Sequence, residues 1–193
     1  MTIYTADHPG LFAAIAGAMA VSRVNIVSAR VITTTEGMAL ECLWVQGPSG
    51  DHIEGRETIQ NLKRTIEKVL AGQIFPNTLI KQRKSFEDRT RVFTVAPRVL
   101  VDNNASNTHT VIEVNGRDRR GFLYMVTKAL MDFGVTISSA RIATYGERAV
   151  DVFYIRDLIG DKITSELKLQ KLRETLLPVS YTHLRAHETE ADL

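Results

Sequence analysis

A single cysteine, Cys42, among 193 residues excludes an internal disulfide framework and any cysteine-rich zinc site. No apolar run approaches the ~18 residues that a membrane-spanning helix needs, and the opening MTIYTADHPG is no signal peptide. A formal net charge of +2 is too slight to imply a nucleic-acid or anionic-membrane partner. The signatures G-x-x-x-x-G-K-[ST], H-E-x-x-H and G-x-S-x-G are all missing, so no catalytic residue is assigned. What is present, 44% hydrophobic and 24% charged residues, describes a soluble globular chain, expected in the cytoplasm. Its length suits one ordinary domain or two small ones.

Both ends are read with care. Met1 opens directly onto Thr2-Ile3-Tyr4, already strand-like, so the natural chain is expected to extend upstream. At the other end VSYTHLRAHET, Val179 to Thr189, resembles the in-frame translation of a sequencing adapter and is set aside from fold reasoning. With it goes the His183/His187 pair, whose i,i+4 spacing suits a metal but which lacks a third acidic ligand. No metal site is expected.

A shift of 111 positions lays Asp7-His8-Pro9-Gly10-Leu11-Phe12 over Asp118-Arg119-Arg120-Gly121-Phe122-Leu123. It also lays Ile26, Ser28, Ala29 and Arg30 over Ile137, Ser139, Ala140 and Arg141. After one deletion, Leu40 to Val45 matches Val150 to Ile155. The chain is an internal duplication.

Each copy reads as strand, D-x-x-G turn, helix, two β-rich segments and a second helix. The strands are Thr2 to Thr5 and Thr110 to Asn115; the hairpins are Asn25 to Thr34 with Met38 to Gln46, and Thr136 to Tyr145 with Arg148 to Arg156. First-helix stripes run through Leu11, Ile15, Ala18, Met19 and Ser22, and through Phe122, Val126, Ala129, Leu130 and Phe133, before Gly134. The closing helices carry Ile59, Leu62, Ile66 and Leu70, and Leu169, Leu172 and Leu176. With a fourth strand after the last helix, this predicts an α+β fold of two ferredoxin-like βαββαβ units, antiparallel sheets with helices on one face. Units this small gain by pairing edge to edge or face to face. The expected division is 1–75, a linker with added strands over 76–107, 108–177, and the tail 178–193. In the linker, Lys81 to Arg91 is a solvated charged run, Phe93-Thr94-Val95 is strand-like, and Val99-Leu100-Val101 is placed against His109 to Val114.

Recurring polar positions define the candidate chemistry. Arg30 with Glu41, and Arg141 with Asp151, are expected as exposed cross-strand ion pairs on the helix-free side. Leu40, Cys42 and Trp44, like Val150, Val152 and Tyr154, alternate in a way that reads as core. The D-x-x-G elbow combines a glycine able to take positive φ with the unpaired amides of a helix N-terminus. Asp7 and Asp118 can cap those helices. The same geometry suits a zwitterion, with amides for its carboxylate and acidic or amide side chains for its ammonium. Asn25 is expected beside the first elbow, with Thr136 as its weaker counterpart in the second copy.

DHPGLF with VNIVSARVITT, and DRRGFL with VTISSARIATYGERAVDVFY, resemble the two ACT domains that end the bifunctional PII uridylyltransferase/uridylyl-removing enzymes. The resemblance covers residues 1 to 177, and the tandem arrangement and the ATYGERAVDVFY segment make it specific. It implies an allosteric module without a cofactor of its own, sensing a small amino acid, glutamine, for catalytic regions that use Mg2+ and UTP. Those regions would attach uridylyl groups to the PII protein and remove them in nitrogen signalling, glutamine favouring removal. By position, the resemblance implies sensing residues Asp7, Pro9, Gly10, Leu11, Asn25 and Ile26 in one copy, and Asp118, Gly121, Phe122, Thr136 and Ile137 in the other. Arg120 replaces the elbow's usual proline, which frees the turn and adds a cation. The competing readings are an ACT-like dimerisation scaffold without ligand and an RRM-like nucleic-acid module, which needs exposed aromatics on the sheet.

Overall fold

The computed structural model describes residues 1–83, 96–119 and 121–181. Its order is β1 (Thr2–Ala6), α1 (Leu11–Val21), β2 (Asn25–Thr33), β3 (Met38–Gln46), α2 (Arg56–Leu70), α3 (Pro76–Arg83), β4 (Arg98–Asp102), β5 (Thr110–Arg117), α4 (Phe122–Asp132), β6 (Val135–Tyr145), β7 (Arg148–Asp157) and α5 (Glu166–Tyr181). The strand-like Phe93 to Val95, the charged run from residue 84 onward, Arg120 and the tail from residue 182 lie outside the described residues.

The two copies join edge to edge. Their strands form one seven-stranded antiparallel sheet in the order β1-β3-β2-β6-β7-β5-β4, with β2 against β6 at the centre. In that central ladder Arg30 stands opposite Arg141, its own repeat equivalent. A pseudo-two-fold axis therefore passes between them. Each copy also carries a β-bulge at the same place, between Ile26 and Ser28 and between Ile137 and Ser139. A bulge re-aims the start of a strand relative to its continuation.

The strand that follows the first copy's closing helices does not return to that copy. β4 pairs with β5, Val99 opposite Val114 and Val101 opposite Ile112. It thus completes the second copy's sheet, and no described strand follows α5. The β4–β5 loop is held down by Asn103 Nδ2 donating to Ile163 O at 2.7 Å and by Lys162 Nζ donating to Ser106 O at 2.6 Å.

One core runs under both halves. Ala29, Val31, Ala39 and Leu43 from one copy, and Ile112, Ala140, Ile142, Phe153 and Ile155 from the other, are buried with α1, α2, α4 and α5. α1 is buried along nearly its whole circumference, because α2, α3 and α4 all contact it. In α2 the buried stripe is Leu62, Ile66 and Val69, while Ile59 and Leu70 are exposed. That helix packs from its middle to its C-terminal end, and its first turn is exposed.

The period of the β3 and β7 pattern is as expected, but its phase is reversed. Ala39, Glu41 and Leu43 face the helices, and Leu40, Cys42 and Trp44 share the opposite, helix-free face, where Trp44 is 59% exposed. On β7 the buried set is Ala149, Asp151, Phe153 and Ile155, with Val150, Val152 and Tyr154 on the helix-free side. The helix side takes alanine at Ala29, Ala39, Ala140 and Ala149 because closely packed helices leave little depth there. No described helix is long and apolar enough to cross a membrane.

Candidate functional site

Both elbows form as left-handed glycine turns. Gly10 has φ 86° and Gly121 φ 77°, each immediately before its helix. A residue with Cβ is strained in that region, which is why glycine closes both D-x-x-G turns. Neither aspartate caps its helix: no side-chain cap bond is made at either N-terminus. Asp7 instead accepts from Thr33 Oγ1 at 2.7 Å, and its own N–H donates to Gly37 O. Asp118 N–H donates to Glu147 O, and burial raises the Asp118 carboxyl above its usual range. Both aspartates tie the strand end to the neighbouring hairpin tip, which leaves the first helical turn to be satisfied elsewhere. Leu11 N–H returns to His8 O, and Phe12 and Ala13, next in the turn, line a cleft.

That cleft, of about 150 Å³, is shared between the copies. Asp7, Pro9, Gly10 and Leu11 line it from the first copy; Met131, Thr136 and Ile137 line it from the second. The symmetric position holds Asp118, Gly121 and Phe122 together with Asn25 and Ile26. Each elbow is therefore completed by the start of the other copy's central strand. Asn25 lies beside the second elbow, not the first, and Thr136 beside the first. The expected residues cluster, but exchanged across the pseudo-two-fold axis, because β2 and β6 are the strands that meet there.

The two clefts are not equal. The second holds only about 40 Å³. A Cβ on Gly121 would meet Ile80 Cγ2 at 3.4 Å, and Ile80 is buried with Ala16, Ala20 and Tyr124. Ile80 belongs to α3, an element with no counterpart among the described residues of the other copy, so the described symmetry ends there. Arg119 closes this side further, its guanidinium 5.7 Å above the Phe122 ring and its Nη2 donating to Val179 O at 2.6 Å.

Glu41 is the lining residue that sequence reasoning misplaced. It is 1% exposed, lines the first cleft, and neither carboxylate oxygen has a hydrogen-bond partner. The expected pair with Arg30 does not form. Arg30 stands opposite Cys42 on the helix-free face, while Glu41 stands opposite Val31 on the helix side. Burial, and then the nearby Asp7 charge, push the Glu41 carboxyl up to about 8. The repeat partner Asp151 is likewise buried, unpaired with Arg141, and pushed up to about 8 by burial and by Asp118. Alternation could not reveal this, because the opposite face of β3 carries the larger apolar residues. The available signal was an acid recurring at one repeat position inside an apolar strand.

An elbow-and-strand cleft shared by two βαββα units is the geometry against which relatives can be compared. A model of an ACR9-like, ACT-like domain matches residues 98–187. The bifunctional uridylyltransferase/uridylyl-removing enzyme of Azospirillum brasilense is 52% identical over 179 residues, 92% of this chain and 19% of that protein. The enzymes of the same name from Rhodospirillum rubrum, 53% identical over 90% of this chain and 19% of that protein, and Gluconobacter oxydans, 50% over 92% and 19%, match similarly. The chain is a tandem ACT module of this enzyme family. It spans about a fifth of the length of the curated relatives it matches. Within the ACT pair no group of three or more described histidine, cysteine or acidic side chains could hold a metal ion.

Proposed function

We propose that the ACT pair is an amino-acid sensor, with glutamine as its ligand, that controls uridylyl attachment and removal on the PII nitrogen-signalling protein by catalytic domains of a larger cytoplasmic enzyme. In this reading the catalytic domains bring Mg2+ and UTP, and this module contributes no catalytic residue. The supporting observation is the shared first cleft, in which Gly10 and the α1 N-terminus from one copy meet Thr136 and Ile137 from the other. A bound zwitterion there places its carboxylate at the helix N-terminus, where the partial positive charge lies. Because both copies line the cleft, occupancy favours one packing of α1 against α4. Such coupling is typically about 1–3 kcal/mol.

Titration calorimetry of the chain with glutamine and the other common amino acids tests this. Saturable heat for glutamine, lost in Asp7→Ala and weakened in Thr136→Ala, supports the sensor. Silence for every amino acid selects the scaffold. The nucleic-acid reading draws on the exposed aromatics of the sheet, Trp44 with Tyr4 and Tyr145; salt-dependent binding of single-stranded oligonucleotides would select it.

A further inference from the structure

We propose that Glu41 is the ammonium-recognising group of the first cleft, ionising only when a ligand amine enters, so that the site takes zwitterionic or cationic amines and releases a proton as it fills. The inference rests on the amino-acid reading above and adds the chemistry of selection. Three observations carry it. The Glu41 side chain lines the cleft, it is 1% exposed, and both its oxygens lack partners. A carboxyl group in that position is costly whether neutral or charged, and native proteins rarely leave one unsatisfied.

The groups facing it narrow what can satisfy it. Its strand neighbours, Val31 and Ile3, are apolar. From α1 it meets the stretch Leu11 to Ala13, and from the second copy Thr127, Met131, Val135, Thr136 and Ile137 line the same space. The titratable residues there are Asp7 and His8, both from the elbow. Asp7 is already engaged by Thr33 and opposes ionisation of Glu41. No described lysine or arginine lines the cleft. Among the described groups nothing balances Glu41, so the cation is assigned to the ligand. The α1 N-terminus, which lines the same cleft, takes the ligand's carboxylate.

Proton balance follows directly. The free site holds Glu41 as the carboxylic acid, its carboxyl raised to about 8. The incoming amine is already an ammonium near neutrality. Forming the carboxylate–ammonium pair sends the Glu41 proton to solvent, and no bond in the ligand changes. Affinity then rises with pH, by about ten-fold per unit while Glu41 is protonated in the free site, and levels off above its pKa.

The test is calorimetry of the full 193-residue chain with L-glutamine, in two buffers of different ionisation enthalpy, from about pH 6 to about pH 8.5. The expected result near neutrality is release of close to one proton per glutamine, falling as pH passes Glu41's own value. Des-amino glutamine, which keeps the carboxylate and amide, binds at least ten-fold more weakly. Glu41→Gln weakens glutamine at least ten-fold, abolishes proton release, and narrows the gap between the two ligands. Glu41→Asp, which copies the residue found at the equivalent Asp151, keeps proton release with reduced affinity. Glutamine heat without proton release in the unmodified chain, or Glu41→Gln binding glutamine within two-fold of it, overturns the role of Glu41 while leaving amino-acid sensing intact. A chain silent to glutamine at every pH overturns the glutamine reading itself, and this inference with it.

Discussion

Replacing Asp151 by asparagine isolates the energetic burden that the duplicated acid places on the fold. The Asp151 carboxyl is 1% exposed on β7, opposite Val114 and Ile142, and neither oxygen makes a hydrogen bond of normal geometry. Burial first, and the Asp118 charge second, raise it from 3.8 to about 8, with the Ala143 backbone amide pulling the other way. In the unfolded chain the group titrates at its ordinary value. Below that value both states hold the proton and the acid imposes no pH-dependent penalty. As pH rises, the unfolded state releases the proton while the folded state retains it, so stability falls until Asp151 ionises in the fold near 8. The slope is at most about 1.4 kcal/mol per pH unit, and the window spans roughly four units, an upper bound of about 6 kcal/mol. Local relaxation and water entry reduce such penalties, so the expected gain for Asp151→Asn is about 1–3 kcal/mol near pH 7.5 and close to zero near pH 3. Asparagine keeps the unsatisfied polar surface, so the difference between the two proteins reports the charge alone. Urea unfolding followed by far-ultraviolet circular dichroism across that range gives the measurement. Parallel pH profiles for the two proteins, or a variant less stable at the alkaline end, would refute the reasoning.

Gly10→Ala forces a Cβ into φ 86° and onto the Met131 sulfur, 2.3 Å away. A loss of about 1–3 kcal/mol in urea unfolding is expected, with the first cleft distorted. Gly17→Ala improves helix propensity but drives its methyl to 2.7 Å from Pro76 Cγ and 2.9 Å from the Tyr124 ring. It therefore destabilises by about 1–3 kcal/mol, against the stabilisation that propensity alone predicts. Arg141→Glu turns the like-charge pair at the central ladder into an opposite-charge pair with Arg30. A gain of about 0.2–1 kcal/mol is expected, shrinking as salt is added. Trp44, the only tryptophan, is 59% exposed, so its fluorescence should be red-shifted and readily quenched by iodide. A blue-shifted, protected emission would place it in a core instead.

The duplication carried most of the architecture into view from the residues alone. Matching DHPG with DRRG and VNIVSAR with VTISSAR located both elbows and both hairpins, and Gly134 marked the end of α4. Two things were hidden for physical reasons. The phase of β3 was hidden because both its faces are largely apolar, Leu40-Cys42-Trp44 against Ala39-Leu43, and the smaller residues turned out to face the helices. The β4–β5 pairing was legible, because the turn-rich stretch between Val101 and His109 marks a hairpin, and the structure forms it. The pairing of Asn25 with the far elbow was hidden because it follows from the β2–β6 junction, a contact between residues more than a hundred positions apart. For Glu41 the recurrence of an acid was visible and its burial was not.

Ile80 in the second elbow has a consequence for how the chain would respond to a small molecule. A duplication that kept two receptive elbows would permit one occupancy to influence the next, with steepness in the response. On the proposed reading, with Ile80 of α3 packed against one of them, a single molecule per chain is expected, and titration of the isolated chain should follow a simple hyperbola. Any steepness in a larger assembly must then come from contacts between chains or between domains.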